Sequence, residues 1–168
     1  MRTRTACIAA IPLMLVMVAP ANATVHNLTA FLDGLQETPP VATPGTGSAT
    51  ATLDDVTNMF NLSGSFNSLI GTTNNAHVHG PAPVGTPAGV MFGITFDFGV
   101  TSGNFSFNGV ITPQQTADIL DGLAYINIHS TFRPGGEIRG QILPEPSSLA
   151  VLSFGMIAVA GRRKRHRA

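Results

Sequence analysis

Two short segments carry residues whose types and spacing could do chemistry. Ala76-His77-Val78-His79 holds two imidazoles two positions apart. In a strand, residues i and i+2 project from one face, so His77 and His79 point together and Val78 points away. Tyr125-Ile126-Asn127-Ile128-His129 repeats the alternation. It puts Tyr125, Asn127 and His129 on one face and two isoleucines on the other. The isoleucines and Val78 belong to a core, so the histidines face away from it or into a polar pocket at its rim. A His-x-His pair joined by a third histidine from another strand is a three-nitrogen donor set suited to copper or zinc. Strand histidines also serve as plain hydrogen-bonding groups, and both roles stay open for His77, His79 and His129. Glu137 and Arg139 are expected to share an exposed strand face as an ion pair contributing under about 1 kcal/mol. Asp54-Asp55 reads as a solvated turn, because no ligand spacing for calcium follows it. His26 stands alone and reads as surface. A glycine-rich phosphate loop, a nucleophile elbow and a pair of catalytic carboxylates are all missing from the pattern, which favours a non-catalytic role.

The elements that must position these residues are mostly strands. Val25–Leu32, Ser48–Leu53 and Met59–Phe66 alternate over all or part of their length, with Asp54-Asp55 at a hairpin between the last two. Gly89–Phe98 reads as one long strand, Asn104–Val110 alternates cleanly, and Ala124–His129 and Glu137–Leu143 close the series. One helix is expected after Thr112: Pro113 suits the first helical position, Gln115 completes a capping box and Gly122 ends the helix. Ala117, Ile119 and Leu120 would form its apolar side. Proline-rich loops span Gly34–Gly47 and Gly80–Gly89. Short strands joined by Gly/Pro-rich turns predict an all-β fold: a single antiparallel β-sandwich with one short helix.

The ends read differently. Arg2 and Arg4, an apolar run from Ala6 to Val18 and the small-x-small triplet Ala21-Asn22-Ala23 form a secretory signal peptide over residues 1–23, for signal peptidase to remove. Residues 24–143 are one domain. Its acids are Asp33, Glu37, Asp54, Asp55, Asp97, Asp118, Asp121 and Glu137, and its bases are Arg133 and Arg139, a net of eight minus two, or −6. Such a domain is a poor nucleic-acid binder. The one cysteine, Cys7, lies in the signal, so cysteine ligation and disulfides play no part in the domain. Residues 144–168 open with Pro144-Glu145-Pro146, continue through the uncharged Ser147–Gly161 and end in an arginine-rich cluster. The uncharged stretch would rise about 22 Å as a helix, a marginal transmembrane span.

These motifs resemble known families. Pro144-Glu145-Pro146, a short apolar segment and a basic end are similar to the PEP-CTERM sorting tail, which implies processing by an exosortase, transient anchoring in the inner membrane and delivery to the cell surface or extracellular matrix. Ala30–Val41, Ala76–Ala82 and Gly122–Ser130 with Arg133–Ile142 resemble, in order, the opening, central and closing motifs of the CHRD (chordin-type) domain, which implies an immunoglobulin-like sandwich. His77, His79 and His129 also resemble the copper ligands of copper/zinc superoxide dismutase, another β-sandwich. The departures argue against dismutase activity: the zinc-site ligands are not recognisable, the disulfide is absent and Gly136 stands at the late arginine's place. The expected function is an exported surface or matrix protein that binds an exopolysaccharide or a surface protein, with copper or zinc binding as the alternative.

Overall fold

The structure, a computed structural model, describes residues 24–145. The signal peptide expected over 1–23, and Pro146 with the apolar and basic parts of the tail, lie outside the described residues. Among the described residues, no helix is long and apolar enough to cross a membrane.

Ten strands form one antiparallel sheet: β1 (Val25–Asp33), β2 (Thr46–Asp54), β3 (Met59–Asn67), β4 (Thr73–His79), β5 (Val90–Gly93), β6 (Thr95–Phe96), β7 (Gly103–Val110), β8 (Tyr125–Ser130), β9 (Ile138–Gln141) and β10 (Leu143–Pro144). The order is β5-β4-β8-β9-β1-β2-β3-β7-β6, with β10 beside β1. The stretch expected as one long strand is thus two. Val90–Gly93 pairs with β4 at one edge, and Thr95–Phe96 pairs with β7 at the other. Ile94 between them turns into the core. Because one continuous segment supplies both edges, the sheet has to curl until they meet. The result is a nearly closed, barrel-like sandwich, the all-β antiparallel fold expected from the strand pattern.

Alternation explains which side faces in. On β2, Ala49, Ala51 and Leu53 are buried while Ser48 and Thr50 are exposed. Leu28, Leu32, Phe60, Phe66, Phe105, Val78, Ile126, Ile128 and Ile138 meet these residues in one core. Gly64 is required there, since a Cβ would run into the Phe105 ring. The helix α1 (Pro113–Leu120) has the expected capping box: Thr112 accepts from the Gln115 N–H, and the Gln115 side chain accepts from the Thr112 N–H. Its buried side matches the expected one at Ile119 and at Leu120, which packs partly buried against the core, and differs from it at Ala117. Ile119 is buried with Thr116 and Asp118, and Ala117 is exposed. Thr116 turns inward because its hydroxyl donates to Asn58 Oδ1 at 2.8 Å.

β8 is buried along its whole length, on both faces. Its apolar face meets the core. Its polar face lies under the two proline-rich loops, which touch where the Thr38 hydroxyl donates to the Gly85 carbonyl.

Candidate metal centre

The polar face is built by register. His77 pairs with Asn127, His79 with Tyr125, and Asn75 with His129 across β4 and β8. Arg139 and Gln141 of β9 continue the rows opposite Asn127 and Tyr125. The alternation that sends Val78, Ile126 and Ile128 into the core therefore gathers the three histidines on the other side.

There they converge. One nitrogen of each of His77, His79 and His129 lies within 4.8 Å of the other two. His77 Nδ1 is 3.1 Å from His129 Nε2. The ring centroids stand 5.0 to 5.8 Å apart. His79 Nδ1 lies 3.1 Å from the Ala88 carbonyl, and His129 Nδ1 lies 2.9 Å from the Pro134 carbonyl. A carbonyl only accepts, so each of these nitrogens carries the proton and leaves Nε2 of its neutral ring as an acceptor; that of His129 accepts from His77 Nδ1. His79 Nε2 is buried without a hydrogen-bond partner. Burial holds all three histidines below the ordinary imidazole value. At His79 and His129 the backbone carbonyls oppose that shift; Arg139 reinforces it at His79, and a proton on one ring of the cluster would repel a second on its neighbour. All three are therefore neutral at pH 7. His77 is the most exposed of the set, so solvent reaches the cluster from its side.

The loop Gly80–Gly89 is fastened over this face by side chains of β8 and β9. The Tyr125 hydroxyl accepts from the Ala88 N–H at 3.0 Å, and its ring stacks on His79 with centroids 5.1 Å apart. Arg139 packs its guanidinium 3.4 Å from the Tyr125 ring centre and donates to the Thr86 carbonyl. Gln141 donates to the carbonyls of Ala82 and Gly122. These contacts fix the Ala88 carbonyl, and through it the tautomer of His79. Carbonyl-held rings of this kind are the usual outer support of metal-ligating histidines.

The expected Glu137–Arg139 ion pair does not form. Glu137 precedes β9 and is fully buried, where it accepts from Thr43 Oγ1, Ile70 N, Gly71 N and Ser130 Oγ. Arg139 instead faces Tyr125 and lies near Glu37. His26 is not isolated either, because its Nε2 sits 3.0 Å from Asp55 Oδ2. Asp54 does cap its own turn, accepting from the Val56 and Thr57 N–H groups. Of the sorting motif, Pro144 lies in β10 opposite Leu28, the Glu145 N–H donates to the Asn27 carbonyl at 3.0 Å, and Pro146 is outside the described residues.

The sequence reading missed Glu37, Arg139 and Gln141 as parts of this face. Arg139 and Gln141 had a signal: polar residues two apart on a strand whose other positions, Ile138 and Ile142, are apolar. Glu37 had none, because the loop that carries it buries it. Burial pushes its carboxyl up to about 7, against the pull of Arg139 and of the Thr38 N–H. Among the described residues, the buried side-chain polar atoms left without a partner are Glu37 Oε1, His79 Nε2, Asn127 Oδ1 and Gln141 Oε1, and all four residues belong to this face.

Residues 28–142 match the CHRD domain, and residues 143–165 match the PEP-CTERM protein-sorting motif. Comparison with curated proteins and with solved structures gives no match. The sorting motif marks an exported, cell-surface-associated protein that is a target of an exosortase. With its motifs placed along β1, β4, β8 and β9 of one curled sheet, the chain belongs to the CHRD domain family.

Proposed function

We propose that this exported CHRD domain is a non-catalytic metal-binding module of the cell surface, holding copper or zinc on His77, His79 and His129. One observation carries the reading. Two backbone carbonyls take the Nδ1 protons of His79 and His129, so their Nε2 atoms are left as acceptors beside His77: that of His129 faces His77 Nδ1, and that of His79 is buried without a partner. Three neutral imidazoles with a solvent-facing side suit a divalent ion that keeps one position open. Restricted solvent and outer hydrogen bonds then set affinity more than charge does, since no carboxylate belongs to the set.

Titration calorimetry on the metal-free domain tests this. Wild type is expected to bind one Cu²⁺ or Zn²⁺ per chain. His77→Ala, His79→Ala and His129→Ala are each expected to weaken binding by at least about tenfold. Binding should hold at pH 7 and fall away below about pH 6, because protons compete for the nitrogens only near and below their lowered values. If wild type and all three variants bind both metals equally weakly, the histidines only hydrogen-bond one another.

A further inference from the structure

The opposite side of the curled sheet carries a second surface, built on β1, β2, β3 and β7. Register aligns its outward residues in three rows of four. The first is Asn27, Thr52, Asn61 and Asn108; the second is Thr29, Thr50, Ser63 and Ser106; the third is Phe31, Ser48, Ser65 and Asn104. Eleven of these twelve positions are Ser, Thr or Asn, and the twelfth is Phe31, 59% exposed. Solvent-facing sheet surfaces ordinarily carry mixed charges, which keep them soluble and unpaired. This one carries none in its three rows.

The surface is also concave. A groove of about 510 Å³ lies over the first two rows, and another of about 310 Å³ lies over the second and third. They share Thr50 and Ser63, so they form one trough along the strands. Glu145 is the one charged residue among those lining it. From Asn108 to Asn104 the trough runs four residues, about 14 Å at the rise of an antiparallel strand.

We propose that this trough binds a neutral polysaccharide. A nucleic acid or an anionic polymer would need bases, and the rows have none. A protein partner would need an apolar centre with aromatic or arginine anchors, and the rows offer one aromatic ring at their end. What they do offer is a field of uncharged donors and acceptors at strand spacing, with Phe31 to receive the apolar face of a ring. That matches a chain of hydroxyl-bearing sugar rings. The inference is independent of the histidine centre, which lies on other strands.

Affinity electrophoresis of the processed domain is the test, with hydroxyethylcellulose, mannan or dextran cast in the gel and alginate as the anionic control. At least one neutral polymer should retard the wild-type protein. Ser63→Glu combined with Ser106→Glu puts two carboxylates on exposed positions of the trough without touching the core. That variant should lose affinity by about tenfold or more, a difference of about 1.4 kcal/mol. Phe31→Ala should weaken retardation as well. Chelator and His79→Ala should leave it unchanged. Retardation by none of the neutral polymers, retardation by alginate alone, or equal retardation of wild type and the double variant would overturn the proposal.

Discussion

Replacing Glu137 by alanine should destabilise the metal-free domain by about 3–5 kcal/mol, the largest loss expected from any single substitution here. The side chain is fully buried and collects four donors that no strand pairing satisfies. Thr43 comes from the first proline-rich loop, Ile70 and Gly71 from the turn after β3, and Ser130 from the end of β8. One carboxylate therefore holds three chain segments together, and its loss strands a donor on each. Urea unfolding followed by circular dichroism reads the effect, since the chain has no tryptophan. Glu137→Gln should lose less, because it keeps the shape and one accepting oxygen. The same carboxyl gives the domain an acid limit. Burial alone would raise its pKa, but the hydrogen bonds from Ser130, Thr43, Ile70 and Gly71 outweigh burial and hold it below the ordinary 4.5. A carboxyl lowered by folding contributes fully above its unfolded value, and that contribution disappears as pH falls through its folded one. Wild type should therefore lose stability below about pH 4.5, and Glu137→Gln should lose less of it there. An unchanged midpoint for Glu137→Ala would remove Glu137 from this role.

Glu37→Gln should act in the opposite direction, stabilising the domain at alkaline pH. Burial lifts the Glu37 carboxyl from 4.5 to about 7, despite Arg139 and the Thr38 N–H. The folded chain then holds a proton that the unfolded chain has released between those values. Stability from this group is greatest below pH 4.5 and declines as pH rises through about 7, by about 3 kcal/mol in all. The three cluster histidines pull the other way, since their lowered values make stability rise with pH up to about 6.5. The difference between variant and wild type isolates Glu37. It should be near zero at pH 4.5 and grow to about 3 kcal/mol by pH 8. A difference that does not change with pH would mean that Glu37 ionises as an exposed carboxyl does.

The two acids also show where sequence reading works and where it stops. Period-two alternation placed His77, His79 and His129 on one non-core face, because the apolar residues between them could only go inward. The capping box at Thr112 and Gln115 was legible because its partners are three residues apart. Glu137 resembled half of a strand-face ion pair, yet the donors that define it lie up to 94 residues away. Glu37 sits in a loop whose docking creates the burial that shifts it. Gly89–Phe98 read as one strand because each half is strand-like; the switch of partner at Ile94 follows from closure of the whole sheet, which no local pattern records. On α1, a hydrogen bond to Asn58 drew Thr116 inward and left Ala117 outside, against simple hydrophobic ranking.

That closure has a consequence for an exported, cell-surface-associated protein. An open sheet ends in rows of unpaired N–H and C=O groups that invite a neighbouring copy to add a strand, and proteins usually guard them with lysines and other charges. This chain has few to spare: 11% of its residues are charged, and the domain has no lysine at all. Here the edges are β5 and β6, four and two residues long, brought together by the segment that forms both. Topology thus supplies the protection against edge-to-edge aggregation that composition withholds, and the outer strands are free to present an uncharged surface.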